Sequence, residues 1–133
     1  MNRIFFSLCA VLLVACNSTP PAGFVFPQAV GGWKLEQIKD LSAGDAPEPI
    51  RRLGLTRTQS GEYVGPGRIA ARVYEMTSPS GAFEAEQTWK PTADTVAFHK
   101  GKYFAVIHWE KAERTAVSTF VRQMEKQLGP RPN

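Results

Sequence analysis

Three patterns in this 133-residue chain predict an α+β fold: a four- or five-stranded antiparallel sheet packed against an amphipathic C-terminal helix and a shorter helix, with the helices predominantly on one side. Val117, Phe120, Val121, Met124 and Leu128 recur at helical spacing near the C-terminus. Two apolar, β-branched and aromatic runs, residues 95–99 and 102–109, flank Lys100-Gly101 and form a hairpin candidate. Between these lies Arg68-Ile69-Ala70-Ala71-Arg72-Val73-Tyr74-Glu75-Met76, a strand candidate running into Ser78-Pro79, which supplies an N-cap and a first-turn proline.

Taken in order, Gly31-Gly32-Trp33-Lys34-Leu35-Glu36-Gln37-Ile38 reads as a glycine-led strand. Pro49-Ile50-Arg51-Arg52-Leu53-Gly54 reads as a short helical turn and stop. Residues 55–58 and 62–64 read as strands on either side of a turn at Ser60-Gly61, and Gly65-Pro66-Gly67 turns the chain into the next strand. After Ser78-Pro79, a helical stripe of Ala82, Phe83, Ala85, Glu86 and Trp89 is halted by Pro91. In the hairpin, a Lys100-Gly101 turn pairs His99 with Lys102, Phe98 with Tyr103 and Val96 with Ala105. Val96, Phe98, Tyr103, Ala105, Ile107 and Trp109 then share the core face. Phe104 and Val106 lie on the other face, where either partial burial or a ligand surface would explain them. Gly129-Pro130 ends the last helix.

The chain starts with Met1-Asn2-Arg3, an uncharged apolar run over residues 4–14, and Leu13-Val14-Ala15-Cys16. The run is about 11 residues, short of the roughly 20 that span a bilayer, but sufficient for a signal segment. The pattern resembles the lipobox of bacterial lipoproteins. That resemblance implies cleavage before Cys16, acylation of Cys16 with palmitate-type chains, and, since Asn17 follows it, residence at the cell outer membrane facing the periplasm. An ordinary cleaved signal and a buried terminal strand or helix are the alternatives. The expected organisation is a signal peptide at 1–15, a lipidated N-terminus and flexible tether at 16–25, and a single small α+β domain at 26–129. Asn17-Ser18-Thr19-Pro20-Pro21-Ala22-Gly23 has spacer composition. Cys9 falls within the segment to be removed, so no intramolecular disulfide is expected.

Phe26-Pro27, Gly31-Gly32-Trp33-Lys34, Arg72-Val73-Tyr74-Glu75-Met76 and Ser78-Pro79-Ser80-Gly81-Ala82-Phe83 together resemble an uncharacterised bacterial family of small exported proteins. Proteins of that family carry no assigned activity or catalytic residues, so the resemblance transfers none.

The formal net charge of +4 is compatible with an anionic membrane or glycan surface, and export argues against a nucleic-acid partner. No cofactor or metal motif is present. In the predicted register His99 and His108 lie about 20 Å apart along the strands, too far to ligate one ion; His99 reads as a solvated turn residue and His108 as a strand-end residue bonded to backbone. The candidate binding surface is Arg68, Arg72, Phe104, Val106 and His108, which Arg51, Arg52 and Arg57 could enlarge; Trp33, Tyr63, Tyr74 and Trp109 either interleave with these arginines or, as core packing alone explains, are buried. The expected function is a non-enzymatic binding or assembly module held near the membrane through Cys16, with an envelope protein, glycan or lipid as partner. The alternative is a small envelope hydrolase using His108 as general base.

Overall fold

The computed structural model describes residues 24–128. The expected signal peptide, Cys16, most of the tether and the Gly129-Pro130 stop lie outside the described residues. An antiparallel sheet contains β1 (Ala29–Val30), β2 (Trp33–Leu41), β3 (Leu55–Val64), β4 (Arg68–Met76), β5 (Thr95–Lys100) and β6 (Tyr103–Glu110), in the order β1-β2-β3-β4-β6-β5. Among the described residues three α-helices accompany it, α1 (Glu48–Arg52), α2 (Pro79–Thr88) and α3 (Arg114–Gln127), with one 3-10 turn at Ala43–Asp45. The class is α+β, with six strands rather than four or five. The strand that escaped the sequence is β1, whose two residues are too few to show alternation. It exists because Gly31 and Gly32, at φ 43° and 64°, close a tight hairpin that pairs Val30 with Trp33; a turn with positive φ at both central positions suits this strand twist.

The residues read as two strands around Ser60-Gly61 form one continuous strand, β3. Gly61 is not a turn residue. A Cβ there would come within 2.6 Å of the Phe26 ring, so the glycine lets an aromatic side chain lie flat on the sheet. The β5–β6 register also differs from expectation. Phe98 pairs with Ala105 and Lys100 with Tyr103, which makes Gly101-Lys102 the connection, with Gly101 at φ 55° in its first position. The shift is two residues, a full side-chain period, so every residue keeps its expected face.

Helices cover both faces of the sheet, not one. On one face, α3 buries Val117, Phe120, Met124 and the following Leu128 against Trp33, Tyr63, Ile69, Ala71, Val73, Ala105 and Ile107, joined by Phe24 and Phe26 from the leading segment. On the other, α1 and α2 bury Ile50, Ala82 and Ala85 against Tyr74, Met76, Phe104 and Val106. Phe104 is 0% exposed and Val106 8%, which resolves their reading in favour of burial. Ser78 Oγ caps α2 by accepting from Gly81 N at 3.2 Å. Gly81 itself packs so closely that a Cβ would meet the Leu53 carbonyl at 2.6 Å. At the other end of the sheet's helical cover, the Lys100 ammonium donates to the Glu125 and Lys126 carbonyls, at 2.8 and 3.1 Å. These are orphan acceptors at the negative end of α3.

Phe120 is 0% exposed and meets Tyr63 edge-on at 4.9 Å between ring centroids. Truncating it to alanine is expected to cost about 3–5 kcal/mol of stability, read from denaturant melts; an unchanged midpoint would contradict its place in the core.

Candidate functional site

The α2 face of the sheet is covered only in part, for a reason of length. A ten-residue helix is about 15 Å long, whereas the nine residues of β4 extend about 30 Å. The cross-strand row Leu41-Thr58-Tyr74-Phe104-His99 lies on the covered part. In the next row, Lys39-Ser60-Arg72-Val106-Ala97, the β6 and β5 members are shielded while Lys39 and Arg72 are exposed. The row beyond it, Gln37-Glu62-Ala70-His108-Thr95, is open, as are Arg68 and its partner Glu110.

Arg68, Arg72 and His108 therefore share one face, as expected. Phe104 and Val106 share it geometrically but belong to the core, so they leave the candidate surface. Of the two readings of the aromatics, core packing holds for Trp33, Tyr63 and Tyr74, which are 3%, 0% and 1% exposed. Trp109 is half-buried on the opposite face, opposite Ile69. Arg57 projects from that opposite face too, beside Asp40 at 3.2 Å. Hydrogen bonds from Gln59 and then Arg57 hold the Asp40 carboxyl below its ordinary value. Arg51 and Arg52 sit in α1, near the Met76 end of β4, away from Arg68.

On the open surface most charges are matched. Lys39 lies 3.7 Å from Glu62, Arg68 3.4 Å from Glu36 and His108 3.7 Å from Glu110. Glu36 reaches Arg68 because the β2–β3 register is irregular between Leu35 and Gln37. Among the described residues Arg72 makes no hydrogen bond or ion pair, so its fork of five donors is free for a carboxylate or phosphate. Beside it a shallow depression of about 130 Å³ is lined by Glu62, Arg68, Ile69, Ala70, His108 and Glu110. His108 thus has an acid neighbour, while this lining includes no hydroxyl or thiol to serve as a nucleophile. Among the described residues there is no group of three or more His, Cys, Asp or Glu side chains able to hold a metal ion.

The two histidines are closer than the predicted register implied. His99 opposes Phe104, four residues from His108, or about 13 Å along the strand, still too far to share an ion. Nor is His99 a solvated turn residue. Its Nδ1 is hydrogen-bonded to the Glu86 carboxylate on α2, and its ring meets Phe83 edge-on at 5.4 Å. Phe83, placed in the buried stripe by spacing, is instead 50% exposed; the buried face of α2 is the smaller Gly81-Ala82-Ala85 set, which allows close approach to the sheet. Spacing alone put Glu86 in that stripe, and only the crossing of α2 over β5 reveals its partner.

No family model, curated protein or solved structure matches this chain.

Because Arg72 is unpaired and exposed, Arg72→Ala is expected to leave stability within about 0.5 kcal/mol of the parent, measured by thermal melting. A larger loss would show that the guanidinium supports the fold rather than standing free.

Proposed function

We propose that this protein is an envelope lipoprotein whose domain is a non-enzymatic binding or assembly module. Acyl chains on Cys16 hold it at the outer membrane facing the periplasm, and Arg72, flanked by Arg68 and His108, contacts an anionic group on an envelope protein, glycan or lipid. The observation that carries this reading is the unpaired Arg72 guanidinium on an uncovered sheet face whose neighbouring charges already have partners. A free, planar cation in that setting offers bidentate recognition without first breaking an internal ion pair.

The start of the folded unit supports the tethering part. Phe24 packs against Phe26 at 4.8 Å and Tyr103 at 6.1 Å between ring centroids, so the chain enters the domain beside the β5–β6 tip. Cys16 precedes Phe24 by eight positions, a reach of about 28 Å at full extension. That tip carries Lys102, whose ammonium is held above the ordinary lysine value by its hydrogen bond and 3.0 Å ion pair with Glu75. In this reading the β5–β6 tip lies nearest the anchor, and the Arg72 surface to the side stays accessible to a partner in the same layer. Two or more acyl chains suffice for stable attachment without burying any of the domain.

Metabolic labelling with a palmitate analogue, membrane flotation and envelope cross-linking test the two parts separately. The expected result is an acylated, membrane-bound chain that loses label and flotation in Cys16→Ser, and a cross-linked partner lost in Arg72→Glu while flotation persists. An unacylated product with an intact Met1 terminus would overturn the anchoring. An undiminished cross-link in Arg72→Glu would overturn the assigned surface.

A further inference from the structure

The sheet has two open edges, and they are built differently. Beyond the short β1, the β2 edge carries Glu36, Lys39 and Asp40 and the irregularity between Leu35 and Gln37. Charges and a bulge are the usual devices that keep another strand from pairing. β5 has neither. Its sequence Thr95-Val96-Ala97-Phe98-His99-Lys100 is free of proline, its pairing with β6 is unbroken, and its one lysine stands at the end.

The hydrogen-bond phase of that edge follows from one contact. Trp109 N donates to Asp94 O at 3.0 Å, and antiparallel pairs alternate between bonded and non-bonded. Residues 96, 98 and 100 therefore bond inward to β6, while the N–H and C=O groups of Thr95, Ala97 and His99 point outward, and among the described residues no strand lies beyond them.

Both flanks of this edge are prepared for contact. On the α3 side a groove of about 470 Å³ runs between β5 and the helix, with Val96, Trp109, Val117 and Val121 on its floor and Arg114 and Arg122 on its wall. Among the described residues neither arginine has an ion pair or hydrogen bond. Glu125 is the single acid in the lining. On the α2 side the half-exposed Phe83 ring stands beside His99.

We propose that β5 is a docking edge for an extended acidic segment of a partner protein, which adds as a seventh strand and places carboxylates against Arg114 and Arg122. Backbone pairing along Thr95, Ala97 and His99 supplies the attachment, and the two guanidiniums select the charge. A second copy is a poor occupant. Two β5 strands paired about a two-fold axis normal to the sheet bring their α3 helices to the same face, opposing arginine to arginine. The chain's own segments outside the described residues do not fit either: 1–23 has no acidic residue, and 129–133 carries Arg131 and two prolines. Thr95 borders the Arg72 surface through its partner His108, but the pairing edge uses no side chain of that surface and does not depend on the lipid anchor.

The test uses two probes on the full chain: an end-blocked heptapeptide alternating glutamate and valine, and its lysine–valine counterpart. Amide hydrogen exchange reports binding, together with tryptophan fluorescence, to which Trp109 in the groove contributes. The glutamate peptide is expected to slow exchange at Thr95, Ala97 and His99 and to bind about tenfold more tightly than the lysine peptide. Arg122→Glu is expected to reverse that preference. Ala97→Pro, which removes an outward N–H without removing a β6 bond, is expected to abolish binding in a chain that still melts cooperatively, at a lower midpoint because Ala97 packs beneath α2. Equal binding of both peptides, no protection at the three outward amides, or unchanged preference in Arg122→Glu would overturn the proposal. So would concentration-dependent protection of the same amides by the protein alone, which would assign the edge to self-association.

Discussion

The edge-on contact between Phe120 and Tyr63 is the constraint on which the rest of the fold depends. It joins α3 to β3 at 4.9 Å between centroids, and Trp33 at the start of β2 completes the aromatic group at 6.1 Å from Phe120. Tyr63 also commits the leading segment, because its hydroxyl donates to the Pro27 carbonyl at 2.8 Å. A buried hydroxyl without a partner costs about 1–3 kcal/mol, so the segment carrying Phe24 and Phe26 is held where Tyr63 requires it. Phe26 then lies over Gly61, and Phe24 reaches Tyr103. One helix, two long strands and the chain's point of arrival are fixed by a single cluster.

The opposite face follows a different economy. Here Tyr74 stacks on Phe104 at 5.7 Å, with Trp89 at 5.9 Å, and the short α2 covers only the Met76 end of β4. The remaining surface is polar because nothing shields it: Lys39, Arg68 and His108 each face a carboxylate, leaving Arg72 outside the pairing. Surface ion pairs of this kind contribute little to stability. Their effect here is to set the local charge around one free guanidinium. The same incomplete coverage recurs on the α3 side at β5, where the helix stands off the edge strand and leaves the arginine-walled groove.

Much of this architecture was legible because periodicity reports faces. The α3 stripe appeared directly in Val117, Phe120, Val121, Met124 and Leu128, and β4 has the bounds Arg68–Met76 expected from its composition. The hairpin kept its face assignment despite a two-residue change of register, since alternation constrains parity and not pairing. What stayed hidden depended on contacts distant in sequence. Gly61 resembles a turn residue until Phe26 is placed over it. Phe83 looks buried until the small Gly81-Ala82-Ala85 face of α2 is seen against the sheet. Phe104 and Val106 could be read either way until α2 was placed above them. Strand parity put Arg68 with Arg72 and, separately, His108 with Phe104 and Val106; that these share one face required the β4–β6 pairing, and the isolation of Arg72 required the ion pairs of all its neighbours.

Alkaline titration of the folded protein, followed by phenolate absorbance and compared with Tyr63→Phe, tests the central contact most directly. Burial raises the Tyr63 pKa above its ordinary value of 10.0. A raised folded-state value means that the neutral phenol's contribution is complete below pH 10 and is lost as pH rises beyond it. The account predicts that stability declines above about pH 10, that the Tyr63 phenolate appears only with unfolding, and that Tyr63→Phe removes this part of the decline while costing about 1 kcal/mol at neutral pH. Ionisation of Tyr63 near its ordinary value, in a chain that stays folded, would contradict it.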